Sequence, residues 1–180
     1  MSAVKKITIS AVCVALCCVL PMAFHSVGLG TAFSPLHIPV LLCGCLCGSS
    51  YGLICGLVGP LLSSVITSMP GPAMLPSMVP ELMTYGLVTG LLMRFVHTGK
   101  LYGDLYISLG CAMVLGRVVG GIAKSLIFMG SGEAFTLALW ASGYFVATLP
   151  GIVCHLILIP VLVLALTKAK LVPARYPKAV

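Results

Sequence analysis

The chain has no Asp, Glu, Lys or Arg between Lys6 and Glu81, although apolar segments fill most of that stretch. Hydrophobic residues make up 60% of the 180 residues and charged residues only 7%. A chain of this composition has too little polar surface to cover a water-soluble globule. The sequence therefore predicts an integral membrane protein.

Six apolar segments are candidates for transmembrane helices, since a hydrocarbon core of about 30 Å requires roughly 20 apolar residues as helix. They are Ile7–Phe24, Leu36–Gly48, Leu53–Met69, Met78–Val96, Leu105–Met129 and Tyr144–Leu166. The second and third are short or rich in glycine, and the polar break at residues 48–52 allows only a tight turn between them. We expect an all-α membrane protein with a single domain over residues 1–180, in which these two segments form a closely packed hairpin.

Basic residues predict the orientation, because cytoplasmic loops carry an excess of Lys and Arg. Eight of the ten lie before the first span, after the fourth or after the last: Lys5, Lys6, Arg94, Lys100, Lys168, Lys170, Arg175 and Lys178. They fall on one side only if the number of spans is even, which favours six although residues 134–166 could hold two helices. We expect both termini in the cytoplasm, and residues 134–143 outside as a re-entrant or interfacial segment with Trp140 and Tyr144 as interface anchors.

The formal net charge of +7 does not predict nucleic-acid binding, because the basic residues flank apolar segments and do not cluster on a soluble face. This pattern indicates membrane topology and contact with anionic lipid headgroups. The nine cysteines all lie in apolar runs, where thiols act as small hydrophobes. Cys43-x-Cys45-x-Cys47 has no His or carboxylate at ligand spacing, so we predict neither a metal site nor a cofactor.

Acidic residues are limited to Glu81, Asp104 and Glu133, so paired carboxylates are excluded as catalysts. The sequence also lacks a nucleophile elbow, an HExxH motif and a phosphate-binding loop. We therefore predict that the chain is not an enzyme and has no nucleotide site of its own.

Arg117 and Lys124 are the two basic residues that lie inside an apolar segment. A cation in hydrocarbon is costly, so it persists where it faces a cavity or has a partner. The two residues are two helical turns apart and share a face, about 10 Å apart along the axis. Glu81, expected in the first turn of the fourth span, is a candidate partner for Lys124. Two hypotheses stay open: a salt-bridge ladder that fixes helix packing, or a polar pocket in the outer half that binds a solute.

Small residues recur at a spacing of four and indicate close helix packing. Ala11 and Ala15 stand on the first span, where packing against another protein and packing within this one are both open. Gly44, Gly48, Gly52 and Gly56 predict intramolecular packing and turn formation. Among the histidines, His155 is expected to be a hydrogen-bonded core residue, whereas His37, at the outer start of the second span, is equally a candidate ligand.

Short motifs are spread over nearly the whole chain: His37-Ile38-Pro39-Val40-Leu41-Leu42-Cys43-Gly44, Tyr51-Gly52, Gly56, Gly59-Pro60-Leu61-Leu62-Ser63, Met69-Pro70, and Glu81 with Tyr85-Gly86 and Gly90. As a set they resemble the substrate-binding S components of energy-coupling factor (ECF) vitamin transporters, the group that includes the pantothenate and riboflavin proteins. The resemblance implies a six-helix vitamin binder that joins a transmembrane coupling subunit and two cytoplasmic ATPase subunits.

The resemblance also implies roles for particular residues. An alanine pair on the first helix contacts the coupling subunit in this family, and Ala11 and Ala15 match it in position and spacing. The family's pocket opens outward under the loops after helices 1, 3 and 5, here residues 25–35, 68–77 and 130–143. This position makes Lys124 the expected substrate contact and Arg117, two turns further inward, a brace for the bundle.

The predicted substrate-binding residues are Lys124, Arg117, Glu81, His37 and Tyr85. Arg117, Lys124 and Glu81 together leave one positive charge, which a monoanionic carboxylate would neutralise. Pantothenate fits this charge, whereas riboflavin calls for more stacking aromatics than the chain supplies. Pyridoxine, a thiamine precursor, folate and cobalamin are alternatives, and so is a structural or assembly membrane protein that binds no solute.

Overall fold

The computed structural model describes residues 1–26, 28, 30–131, 136–173 and 176, and all regular structure in these residues is helical. The helices are α1 (Ala3–Ser26), α2 (Gly30–Phe33), α3 (His37–Cys47), α4 (Ser49–Thr67), α5 (Leu75–Phe95), α6 (Leu101–Ser131), α7 (Leu137–Ala141) and α8 (Leu149–Lys168). A π-helical turn at Ser142–Val146 continues α7. Helices α3, α4, α5 and α6 pack side by side, with α1 against α3 and α4.

Four of these helices are long and apolar enough to cross a membrane: α1, α4, α6 and α8. α5 has 21 residues but is less apolar, because it contains Glu81 and Arg94. α3 has 11 residues and is therefore about 17 Å long, well short of a hydrocarbon core of about 30 Å. The all-helical membrane architecture is thus confirmed, while the count of six spans stays a prediction.

The start of α5 differs from the prediction. The helix begins at Leu75, one turn before the expected Met78, because Pro76 occupies one of its first positions. Proline is well suited to this position, since the first N–H groups of a helix have no partner within it. Glu81 consequently lies in the second turn, so the expectation that it stands in the first turn is wrong.

The segment before the last helix also differs. α8 begins at Leu149 and not at Tyr144, and α7 and the π-helical turn precede it. Thr136 caps α7, since its Oγ1 accepts a hydrogen bond of 3.3 Å from the Leu139 amide. The re-entrant or interfacial path expected for residues 134–143 is not confirmed, and its first residues lie outside the described part of the chain, as does Glu133.

The predicted hairpin is present, and one residue forms its turn. Gly48 has a φ of +98°, a conformation that favours glycine, and separates the end of α3 from the start of α4. A Cβ on Gly44 would lie 2.7 Å from the carbonyl oxygen of Gly86 on α5, and a Cβ on Gly52 would collide with the same carbonyl group. This contact confirms that the glycines serve packing within the chain.

Five cysteines fill the space between α1, α3 and α4: Cys13, Cys17, Cys43, Cys47 and Cys55 are buried and free. Their thiols make weak polar contacts, such as the 3.4 Å contact from the Cys43 Sγ to the Ser10 hydroxyl. No group of three His, Cys, Asp or Glu side chains in the described residues could hold a metal ion.

Basic residues gather at one end of the bundle. Lys6 and Arg94 line one cavity, and Lys6 also lines a second cavity together with Leu101 and Thr167, so these residues share one end. We call it the basic end. At this end Asp104, fully buried, accepts hydrogen bonds of 2.7 Å from the Thr98 amide, the Thr98 hydroxyl and the Tyr176 hydroxyl.

Candidate functional site

A cavity of about 190 Å³ lies where the starts of α3, α5 and α8 meet the second half of α6, away from the basic end. Four of the five predicted substrate-binding residues line this polar cavity: His37, Glu81, Arg117 and Lys124. The other lining residues are Ser34, Met74, Ser77, Met78, Leu139, Gly143, Tyr144 and Thr148. Residues from distant parts of the sequence therefore converge on one small space.

Glu81 is the carboxylate that lines the polar cavity. Its Oε1 accepts a hydrogen bond of 2.8 Å from the Tyr85 hydroxyl and lies 3.5 Å from the Nε2 of His37. Tyr85 is fully buried behind the cavity and is not a lining residue. Among the described residues Glu81 therefore contacts Tyr85 and His37, and the candidate salt bridge between Glu81 and Lys124 is absent.

His37 is fixed from both sides. Its Nδ1 donates a hydrogen bond of 3.1 Å to the Ser34 carbonyl, because that oxygen can only accept, and its Nε2 consequently faces Glu81. The imidazole stacks on His155 at a centroid distance of 5.7 Å. His155 was expected to be a hydrogen-bonded core residue; it is buried, but neither ring nitrogen has a hydrogen-bond partner in the described residues.

Arg117 is almost completely buried and joins α6 to the segment before α8. Its Nη2 donates a hydrogen bond of 3.0 Å to the Thr148 hydroxyl, and its guanidinium lies 5.1 Å from the centre of the Phe145 ring. The Arg117 carbonyl accepts a bond of 3.1 Å from the Trp140 indole. The Nε of Arg117 has no partner among the described residues. Arg117 therefore fixes helix packing and still presents a charge at the cavity.

Lys124 is more accessible than Arg117. Its side chain is half-buried, and its Nζ lies 5.9 Å from the centres of the Phe128 and Tyr144 rings. Aromatic faces attract ammonium groups, so both rings stabilise this position of the lysine. The lysine thus stands at the edge of the polar cavity.

Glycines on α6 make room for these side chains. A Cβ on Gly120 would lie 2.8 Å from the Glu81 carboxylate, and a Cβ on Gly116 would collide with the Tyr85 ring. A Cβ on Gly121 would collide with the Trp140 indole. This role of the α6 glycines in making room for side chains was not predicted from the sequence. Gly116 and Gly120 nevertheless have the same four-residue spacing that indicates close approach elsewhere in the chain.

Sequence reasoning also missed Ser34, Ser77 and Thr148 as cavity residues. Ser34 directly follows α2, Ser77 lies in the first turn of α5 and Thr148 directly precedes α8, so the local register at helix ends decides whether each side chain points into the bundle. The position of Ser77 one residue after Pro76 was the available signal, since proline marks helix starts. Trp140 lies partly buried against α6, and its expected place at the membrane interface stays a prediction.

Ala11 and Ala15 lie on the exposed face of α1, whereas the buried face of that helix carries Cys13, Cys17 and Pro21. Both alanines are therefore largely exposed in the described structure. At the basic end, a further cavity of about 440 Å³ is lined by Lys6, Arg94 and the backbone-rich turn at Gly48. It lies far from the polar residues that the sequence singled out.

The fold and the polar cavity define a helical membrane protein that encloses ionisable groups among its helices. The family model for the substrate-specific component of ECF transporters matches residues 5–163, so the chain belongs to this family and the resemblance is confirmed. Its members are substrate-binding membrane subunits of importers and not enzymes, and they work with a shared energy-coupling module. Neither a curated protein nor a solved structure matches the chain.

Proposed function

We propose that this S component captures a water-soluble carboxylate vitamin outside the cell, with pantothenate as the first candidate. The observation that carries the proposal is the charge of the polar cavity. Arg117 and Lys124 both line it, and Glu81, the carboxylate there, is already engaged by Tyr85 and His37. A substrate carboxylate would be attracted by the two cations that line this cavity.

The two cations have different roles in this proposal. Lys124 contacts the substrate carboxylate directly, which its position at the edge of the cavity supports. Arg117 mainly braces the bundle, which its bonds to Thr148 and Trp140 support. Truncating Lys124 should therefore affect binding, and truncating Arg117 should affect stability as well.

The remaining polar groups suit a substrate with hydroxyl and amide groups. The side chains of Ser34, Ser77, Tyr144 and Thr148 supply hydroxyls around the cavity. The cavity volume of about 190 Å³ lies below the range of about 300–1,000 Å³ typical for drug-sized ligands, so the proposal favours a small vitamin. Riboflavin, pyridoxine, a thiamine precursor, folate and cobalamin are the alternatives.

The finer architecture belongs to the same proposal. The chain crosses the cell membrane six times with both termini in the cytoplasm, and the polar cavity faces outward. Ala11 and Ala15 dock a transmembrane coupling subunit, which two cytoplasmic ATPase subunits drive. The exposure of both alanines on α1 supports this docking.

Titration calorimetry with pantothenate on wild type, Lys124→Ala and Arg117→Ala tests the proposal. A substrate contact should lose about 2–5 kcal/mol of binding free energy, because its partner charge is left buried and unpaired. Lys124→Ala should show this loss with an unchanged unfolding temperature. Arg117→Ala should also lose thermal stability without ligand.

A panel of B vitamins in a thermal-shift assay on the wild-type protein supplies the control. A shift with pantothenate alone supports the first candidate, and a shift with another vitamin replaces it. No shift with any vitamin favours the structural protein that binds no solute. Unchanged affinity in both variants would show that the charged pair is not the solute site. In liposomes the lone subunit should bind the vitamin without accumulating it, and concentrative uptake would contradict the proposal.

A further inference from the structure

The cavity of about 440 Å³ at the basic end lies outside the proposed substrate site. It forms where α1 meets the turn between α3 and α4 and the last turns of α5. Two cations line it, Lys6 from α1 and Arg94 from α5, and none of its described lining residues is Asp or Glu. We call it the basic cavity. Its volume lies in the range of about 300–1,000 Å³ that is typical of small-molecule sites, so it has the size and the charge for an anionic group.

The described part of the chain does not compensate the charge of these two cations. Glu81 lines the polar cavity, and Glu133 lies outside the described residues. Asp104 is at the basic end, but it is fully buried and accepts hydrogen bonds from other side chains. Neither Lys6 nor Arg94 is in an ion pair with a described residue. An anion from outside the chain would therefore be attracted to the space between them.

Lys6 is held in place at the basic cavity. Its carbonyl accepts a hydrogen bond of 2.8 Å from the Ser10 hydroxyl and a weak one of 3.6 Å from the Cys47 thiol, which ties this turn of α1 to the end of α3. The Lys6 ammonium lies 5.8 Å from the centre of the Tyr51 ring on α4. Because the cation is positioned before a ligand arrives, less ordering is required when the ligand binds.

The start of α4 adds polar groups to the same cavity. Ser49 and Ser50, the first two residues of the helix, line it together with Gly48. The first N–H groups of a helix have no partner within it and carry the positive end of the helix dipole, which favours an anion near the two cations. A Cβ on Gly90 of α5 would collide with the backbone of Gly48 and Ser49, so α5 packs directly against this turn.

Exposed apolar side chains stand beside both cations. Val4 and Ile7 flank Lys6 on α1, and Phe95 follows Arg94 on α5. In a membrane protein such side chains contact lipid, and basic residues at the ends of apolar helices lie at the level of the headgroups. A soluble anion would use the cations alone, whereas a phospholipid brings a phosphate for the cations and acyl chains for the apolar surface next to them.

We propose that the basic cavity binds the headgroup of an anionic phospholipid, with the phosphodiester between Lys6 and Arg94. An uncharged polyol headgroup such as glycerol fits best, because its hydroxyls can bond the serines at the start of α4. Choline or ethanolamine would bring a third cation. The lipid links α1 to α5, which both pack against the α3–α4 hairpin, and so steadies a helix that buries few of its own residues. This inference does not depend on the proposed substrate.

Two double variants distinguish this site from a general attraction of lipid to basic residues. Lys6→Gln with Arg94→Gln removes the cations of the basic cavity. Lys5→Gln with Lys100→Gln removes two charges close to them in the sequence that are not among its lining residues. Each purified protein is mixed with detergent micelles that contain equal amounts of phosphatidylglycerol and phosphatidylcholine. Retained lipid is then measured by native mass spectrometry, and the unfolding temperature is measured with each lipid alone.

Wild type and the Lys5/Lys100 variant should retain phosphatidylglycerol in preference and be stabilised by it. The Lys6/Arg94 variant should lose the preference by about tenfold or more, together with the stabilisation. Lys6→Arg with Arg94→Lys keeps both charges and should behave as wild type. If the double glutamine variant does not fold, each single substitution should show a partial loss.

Three results would overturn the proposal. An equal loss in the two double glutamine variants would show a general attraction by charge and no discrete site. An unchanged preference for phosphatidylglycerol in the Lys6/Arg94 variant would place the lipid elsewhere. Inorganic phosphate, added without lipid, should not raise the unfolding temperature of wild type. A rise that the Lys6/Arg94 variant lacks would assign the basic cavity to a soluble phosphate.

Discussion

α1 and α3 are both apolar, cysteine-bearing helices, yet they have opposite surroundings. Every residue of α3 from His37 to Gly44 is buried, whereas α1 buries only Cys13, Cys17 and Pro21 and exposes Val12, Val19 and other large apolar residues. In a membrane protein, apolar composition therefore does not say whether a residue contacts lipid, a partner or the protein's own core. The small residues show the difference between the two helices. Glycine on α3 permits close contact with α5, whereas alanine on α1 is exposed.

The comparison is tested most strongly at the exposed face of α1. Ala15→Trp should abolish vitamin uptake by cells that contain the complete transporter, because the bulky ring prevents close approach of a partner helix. Vitamin binding by the purified subunit should stay at the wild-type level. Uptake and binding are measured on the same variant, and Val19→Trp, further along the exposed side of α1, is the control. Joint loss of binding and folding in Ala15→Trp would contradict an outward role for the pair.

The next largest effect is expected on α3. Gly44→Leu should lower the free energy of unfolding by about 1–3 kcal/mol or more, since its side chain overpacks the contact with Gly86 on α5. Ala11→Leu on α1 should change it by less than about 0.5 kcal/mol. Both are measured by thermal unfolding in the same detergent. Equal destabilisation by the two substitutions would remove the distinction between the helices.

A smaller difference in stability is expected between substitutions on the two sides of α1. Cys17→Ser should destabilise by about 1–3 kcal/mol, because the fully buried hydroxyl replaces an apolar thiol next to Gly59. Cys18→Ser, one residue on and half-buried, should cost less, as its hydroxyl can bond the Val14 carbonyl that the thiol now contacts. Chemical denaturation of both variants measures the two losses of stability. If α1 packed through its other face, Cys18→Ser would be the more destabilising substitution.

The smallest effect is expected for an exposed cysteine elsewhere. Cys111→Ser on α6 should leave stability within about 0.5 kcal/mol of wild type, because the residue is exposed. Its thiol should also react fastest with a membrane-permeable maleimide, while Cys13 and Cys17 react only after unfolding. Rapid labelling of the α1 cysteines in the folded protein would show that the α1–α4 contact opens.

The class of protein and the position of most helices were predictable, because they depend on long apolar runs and on glycine and proline positions within the chain. The convergence of His37, Glu81, Arg117 and Lys124 on one side of the bundle was predictable from helix spacing and the charge rule. Their pairing was not. Whether Glu81 meets Lys124 or His37 depends on the rotation of α5 against α3, which the register of Pro76 sets one turn earlier than expected.

A cavity of about 240 Å³ is lined by residues from two of the loops that the resemblance placed over the pocket, residues 25–35 and 68–77. Its shape could not be predicted, because the path of these connections follows from side-chain to backbone hydrogen bonds, such as that from Ser63 to Met69, and not from periodicity. His155 was misjudged for a related reason. A histidine in an apolar run is expected to find a hydrogen-bond partner, but its ring stacks on His37, a contact that no sequence spacing indicates.

The buried carboxylate at the basic end ties together two regions 72 residues apart in the chain. Asp104 opens α6, and Tyr176 lies in the segment after α8. Sliding the start of α6 past the segment after α8 would have to break this bond, and breaking a hydrogen bond to a buried carboxylate is costly. The bond therefore couples the position of the start of α6 to that of a residue beyond the last helix.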